Sequence, residues 1–447
     1  MWSILQNNPN TVHTHNKVRY FVSLNIFFTV VLSALAITPY LSRNVSPVIN
    51  FLFFVLWVVT ALISNGLKLK IDLNNKVVLW TVVWYIWQIL MRFIGNSNIA
   101  WNNYIHRITL YAIPLIMIFV IYKYNNKEKS ILGKAVFLII AFNIISNIVL
   151  WIKNPNVFQN LNYVIEGAEN RLTNAGSTSF VGICMFFSAI CLIIFINTKR
   201  MWYKLASIFG TCISLFFMLR INPRAIASFI LIAMTLGILL VSHGVWNKKS
   251  IIIYICILLL LTPMLIFLMI PLLEWGKSLF TSPEIQKKIE DVINVLKGTS
   301  LESFGNDSSL QARFLLSKAS LTTFTSSISN FVFGVGENVH GDTVQELIAF
   351  GVGGHSELID SLAEYGLIGG LIIYKFISAI IKYVSSLASS SKIKRQLIVV
   401  MTAFIIYSIL NNSFFWDMFY VLMVLLPVVV VLLNSKMDKG QGDIKYD

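Results

Sequence analysis

Charge is what this chain has least of. Only 12% of its 447 residues are Asp, Glu, Lys or Arg, against 56% hydrophobic residues, and the mean hydropathy is +0.74. A soluble globule needs a polar coat that this composition cannot supply, so a polytopic membrane protein is expected. Cysteine is scarce as well. The four residues Cys184, Cys191, Cys212 and Cys256 all fall inside apolar runs, with no C-x-x-C or metal-ligand spacing. They read as small buried hydrophobes, and no disulfide framework is implied. Acidic residues are missing where an ion-driven transporter would use them. No Asp or Glu lies clearly within an apolar run, Asp417 sitting at the end of one, and no two-half internal repeat is visible. The outer loops also lack an Asp-x-Asp pair, so neither a divalent metal nor another cofactor is called for.

What the chain does have is apolar length. Runs long enough to span a bilayer occur at about 20–41, 48–64, 76–95, 105–122, 131–152, 176–197, 203–220, 225–243, 250–273, 366–387, 396–412 and 414–434. The expected fold is therefore an all-α polytopic membrane protein of about twelve transmembrane helices. Its divisions are a cytoplasmic segment 1–19, helices one to nine over 20–273, an extracytoplasmic helical loop 274–365, helices ten to twelve over 366–434, and a cytoplasmic tail 435–447. The first run is too long for a signal-peptide core and lacks a small-residue cleavage site, so it is read as a resident span.

Positive charge sorts across this topology. With the amino terminus inside, the inner segments hold 21 Lys plus Arg, and the short outer loops and helix ends hold seven. That bias places both termini in the cytoplasm and accounts for much of the net charge of +15, so nucleic acid is not an expected partner. The type of base also differs. Inner segments use eighteen Lys and three Arg, whereas the outer positions are Arg43, Arg92, Arg107, Lys153, Arg171, Arg220 and Arg224. Topology needs only charge; arginine adds a planar fork that grips phosphate or carboxylate at two points. Two uses stand side by side, an anionic headgroup held at the outer surface and simple snorkelling to membrane lipid. Arg220 and Arg224 flank a tight turn through Asn222-Pro223, and Arg171 precedes a Gly- and Ser-rich helix start rich in amide donors.

The large outer loop carries its own helices. Ser282-Pro283 opens one with Ile285, Ile289, Val292, Ile293 and Leu296 on a single stripe. A second over about Ser309 to Phe324 carries Arg313, and a third follows Asp342 as its cap. The glycine clusters at 334–338 and 351–355 are expected to be flexible connectors, without the Lys, Ser and strand context of a phosphate loop. The loop ends in GGHSELIDSLAEYGLIGG, residues 353–370. Read as a helix from His355, it puts Ile359 and Leu362 within about 40° of the histidine and Asp360 and Glu364 on the far side. Gly366, Gly369 and Gly370 permit a kink and close packing. His355 thus sits where a polar loop becomes a membrane helix, either as a helix-capping side chain or as a functional base.

Several of these features together resemble the bacterial O-antigen ligase and polymerase family. They are a twelve-helix bundle, a long late outer loop with Arg313 in its helix, a Gly-Val-Gly connector, and His355, Ile359, Glu364, Tyr365 and Gly366 in a His-x-x-x-apolar-x-x-x-x-Glu-aromatic-Gly pattern. Arg171, Arg220 and Arg224 match the arginines before helix six and between helices seven and eight. The resemblance covers helices six to ten; the first five helices carry no signature of it. It implies an integral-membrane glycosyltransferase of the GT-C type in the bacterial cytoplasmic membrane, acting on undecaprenyl-diphosphate-linked glycans at the outer face. It further implies His355 as catalytic base, Arg171, Arg220, Arg224 and Arg313 as diphosphate ligands, and Glu357, Glu364 and Tyr365 in support. A chain-length regulator protein is a further partner it brings to mind. A polymerase joining repeat units is the expected activity. A ligase moving finished polymer to a lipid or protein acceptor is the nearest rival, and a polysaccharide transporter or flippase the more distant one.

The charge sorting makes a topological prediction. A tag inserted near Thr299 should react with an impermeant reagent on intact cells, and one near Ser391 only after permeabilisation. Reversed labelling would remove the outer-face site altogether.

Overall fold

The computed structural model describes residues 9–37, 46–64, 76–95, 126–153, 178–218, 225–244, 270–271, 273–278, 283–297, 309–336, 347–349, 351–354, 356–386, 388 and 390–410. Regular structure among these residues is helical, with no strand. The helices are α1 (Pro9–Ile37), α2 (Pro47–Ser64), α3 (Lys76–Ile94), α4 (Asn126–Lys153), α5 (Thr178–Asn197), α6 (Met201–Phe216), α7 (Ala225–Ser242), α8 (Pro283–Leu296), α9 (Ser309–Thr325), α10 (Ile328–Phe333), α11 (Glu357–Ser386) and α12 (Ser391–Leu410). The expected spans at 105–122, 250–273 and 414–434 lie almost wholly outside the described residues, as does the proposed cap Asp342.

Two stretches, Ile131–Val149 and Leu358–Ser386, are long and apolar enough by length and composition to cross a membrane. Shorter apolar stretches occur at Tyr20–Leu35, Phe51–Ile63, Leu79–Ile94, Val181–Asn197, Met201–Phe216 and Ile230–Ser242. Large apolar side chains such as Phe93, Leu138 and Phe142 point outward. Such a surface is compatible with insertion in a membrane and unfavourable in water.

Helix starts follow local chemistry. Pro9, Pro47 and Pro283 each open a helix, the position where proline's missing N–H costs nothing. α1 begins inside the segment expected to be a cytoplasmic tail, because no breaker separates Pro9 from the apolar run. α4 carries Glu128 in its first turn and Lys153 in its last, both favourable to the helix dipole.

The bundle has two chemically distinct ends. At one end Gln396, near the start of α12, is fully buried; its Oε1 accepts from Asn197 Nδ2 at 2.8 Å and its Nε2 donates to Ser242 Oγ at 2.7 Å. This ties the C-termini of α5 and α7 to the N-terminus of α12, and an amide bonded through both its oxygen and its nitrogen fixes register in an apolar interior. A similar polar seam joins α1 and α2, where Asn25 Nδ2 donates to the Trp57 carbonyl at 2.9 Å and Trp57 Nε1 donates to Thr29 Oγ1 at 2.7 Å. Cys184 and Cys191 are buried in the protein interior, and Cys212 is exposed on the apolar helix α6. The other end carries α9, α10 and the break in α11.

That break lies at Gly366, with φ 64° and ψ −169° inside an otherwise continuous helix. It divides α11 into a short segment 357–365 and a long one, 367–386, the latter about 30 Å at 1.5 Å per residue. A break strands the carbonyls of the turn before it. Two of these are taken up by the glycine connector after α10: Val335 N donates to Ala363 O at 3.0 Å and Gly336 N to Glu364 O at 3.0 Å. The approach requires bare backbone on both sides. A Cβ at Gly366 would meet the Val332 carbonyl, and one at Gly334 the Glu364 carbonyl. Gly336 is pressed in turn against Gly95 and the Met91 carbonyl at the C-terminus of α3. Trp84 packs edge-on to Tyr365 at 5.1 Å, and Gly369 leaves room for Trp87.

The expectation of flexible connectors is therefore corrected. Both described glycine segments are docked, the first on α3 and α11, and the second through Gly353, whose amide donates to Ser320 Oγ of α9 at 2.8 Å. Their glycines serve left-handed φ and close approach.

Gly366 lies in backbone space that is costly to other residues by about 1–3 kcal/mol, before any clash with α10. Gly366→Ala should lower the melting temperature of the detergent-solubilised protein markedly. Gly244→Ala provides the reference, since Gly244 has φ 74° but open space around its absent Cβ. Equal, mild effects at both sites would contradict the docked break.

Candidate functional site

The site region is assembled by α9, α11, α12 and the segment 351–354. Ser309–Thr325 forms one continuous helix as expected, and Arg313, Leu316 and Ser320 fall within about 60° of one another on its wheel. Leu316 and Ser320 touch the backbone at Gly353, two residues before His355. Arg313 is half-buried on that same face. Burial pushes its guanidinium below the usual arginine range, and Tyr407 beside it works in the opposite direction. Arginine nevertheless stays charged at any working pH. Tyr407 itself is buried near the C-terminus of α12, against Phe186 at 6.2 Å.

α11 starts at Glu357. Asp360 was expected on a polar face away from the core. It is buried, 7% exposed, and turned toward α9: Oδ1 accepts from Ser320 Oγ at 2.6 Å and Oδ2 from the Ser356 amide at 2.9 Å. Ser356 Oγ donates to the Ile409 carbonyl at the end of α12. Ser320 therefore touches Gly353 on one side and Asp360 on the other, joining α9 to both the connector and the first turn of α11.

Of the residues singled out from sequence, Arg313, Glu364 and Tyr365 are placed by the structure at this end of the bundle. Glu364 is half-buried and its carbonyl holds the Gly336 amide; Tyr365 is buried against Trp84. Both sit at the break and serve its packing. Glu357 is in the first turn of α11, with its side chain outside the described residues, and His355, Arg171, Arg220 and Arg224 lie outside them as well. α7 begins at Ala225, immediately after Arg224 in sequence. Sequence reasoning missed Asp360, Ser320 and Tyr407. The first had a signal in its position one turn after Ser356; the others are brought in by long-range packing.

Arg92, expected on the outer side, is buried at the C-terminal turn of α3 beside the Gly336 contact. A cation in that turn is favoured by the helix dipole. Comparison with protein-family models finds no match for this sequence, and comparison with curated proteins finds none either.

Proposed function

We propose that this chain is an integral-membrane polysaccharide polymerase of about twelve spans and GT-C type. It would join undecaprenyl-diphosphate-linked repeat units at the outer face of the bacterial cytoplasmic membrane. One observation supports this most: the helix face bearing Arg313 also holds the backbone that leads into His355, at the bundle end where α12 terminates. The connector that precedes His355 in sequence is thus docked, across 33 residues of chain, on the helix that carries Arg313.

The reaction is a displacement at the anomeric carbon of the donor chain. A hydroxyl of the incoming lipid-linked unit loses its proton to neutral His355 as its oxygen forms the new C–O bond. The anomeric C–O bond to the donor diphosphate breaks with inversion, and undecaprenyl diphosphate departs with the electron pair. Arg313, together with Arg171, Arg220 and Arg224, would hold the charge that grows on that leaving group. A half-buried guanidinium is already stripped of water, so part of its desolvation precedes binding.

Removing one such donor should cost about 2–4 kcal/mol of transition-state stabilisation, roughly a hundred- to a thousand-fold in rate. Arg313→Ala in proteoliposomes should show that loss together with weaker donor binding, and Arg313→Lys should recover little, since lysine lacks the two-point grip. His355→Ala should lose transfer and keep donor binding. Because the neutral imidazole is the active form, the wild-type rate should climb as rising pH deprotonates His355, and arginine contributes no step there. Transfer should survive EDTA. Activity lost to EDTA and restored by Mg²⁺, or a His355→Ala protein of wild-type rate, would overturn the proposal.

A further inference from the structure

Asp360 belongs to no element of the mechanism above, yet both of its carboxylate oxygens are engaged. Its two oxygens take different partners, Ser320 Oγ at 2.6 Å and Ser356 N at 2.9 Å, while its own amide donates to the Ser356 carbonyl at 2.8 Å. Ser320 Oγ, having given its proton to the carboxylate, accepts from the Gly353 amide at 2.8 Å. The amides of Gly353 and Ser356 are therefore tied to a single side-chain pair, and these two residues bracket Gly354 and His355 in the chain. Ser356 is anchored again through Oγ to Ile409. Gly353 is pressed so closely on the Leu316 carbonyl that no Cβ fits.

We infer that Asp360 is a positioning residue: with Ser320 it clamps the backbone on both sides of His355 and so fixes where that base meets the acceptor hydroxyl. The inference rests on the reading of His355 as the base. A buried carboxylate is expensive to desolvate, and charge-assisted hydrogen bonds to two donors offset that cost. As an acceptor-only group it also leaves Ser320 free to receive the Gly353 amide. Asparagine can preserve much of this. Its carbonyl can accept from Ser356 N and its amide can donate to Ser320 Oγ, whose proton must then turn to the Leu316 carbonyl at a long 3.4 Å. Alanine preserves none of it. A misplacement of about 1 Å at a reacting group costs on the order of a hundred-fold in rate.

The test uses the full-length protein in proteoliposomes with a lipid-diphosphate-linked repeat unit as substrate, measuring donor binding, kcat across pH and melting temperature. Asp360→Ala should lower kcat about a hundred-fold, leave donor binding within about two-fold, and leave the midpoint of the pH profile in place. Asp360→Asn should recover to within about ten-fold of wild type. The double variant with His355→Ala should be no slower than His355→Ala alone. If Asp360→Ala does not fold, Ser320→Ala takes its place and should lower kcat about ten-fold at unchanged donor binding. Wild-type kcat in Asp360→Ala or, where that fails to fold, in Ser320→Ala, alongside an inactive His355→Ala, overturns the positioning role and leaves the polymerase reading standing. An Asp360→Asn protein as slow as Asp360→Ala with a displaced pH profile shows that Asp360 acts by charge, which also overturns it. A fully active His355→Ala instead removes the reading on which the inference rests.

Discussion

Everything at the loop-bearing end of the bundle depends on how the carbonyls of one broken helix turn are satisfied. Gly366 interrupts α11 just before its long apolar segment, and such a break in an apolar setting is tolerable only if the freed backbone groups find partners. Val335 and Gly336 supply two of them, and the bare backbones of Gly334 and Gly366 allow the approach. In the same contact Gly336 reaches the C-terminus of α3. One unfavourable dihedral pair thus fixes α3, α10 and α11 relative to each other and turns the segment 357–365 away from the line of the long helix.

From that fixed platform the second polar cluster gains its geometry. Ser356, Asp360, Ser320 and Gly353 lie on either side of the junction between connector and helix, and their hydrogen bonds run to α9 and α12. Arg313 shares a helix face with this cluster and is half-buried there. The proposed chemistry places its demands here: a cation held in place without a metal and a base held at a defined height. Polar groups buried in an apolar bundle are expensive, and hydrogen bonds to both oxygens of Asp360 offset that cost here.

The helices were legible because apolar run length and proline position are local signals. The apolar run at 48–64, Pro283 and the glycine at 366 told where α2, α8 and the break would fall, and Ser309 to Phe324 was readable as a helix around Arg313. α10 was not read, since six residues are too few for periodicity, although Ser327 capping the Asn330 amide and Gly334 at its end were available signals. The docked connectors were misread because a glycine needed for left-handed φ looks the same in sequence as one that confers mobility. Asp360 was assigned to a polar face because its partner Ser320 is 40 residues away, and no window on the sequence contains both. Of the proposed site, only Arg313, Glu364 and Tyr365 have described side chains; the Glu364 carbonyl and the Tyr365 ring lie at the break.

The proposed chemistry has a by-product that neither transport nor scaffolding shares. With the purified protein in sealed proteoliposomes and lipid-diphosphate-linked repeat units in the outer-face-equivalent leaflet, the decisive quantity is free undecaprenyl diphosphate per new glycosidic bond. The account predicts a ratio of one, with product chains lengthening by whole repeat units. Lipid-linked sugar that changes leaflets without any release of undecaprenyl diphosphate would contradict it.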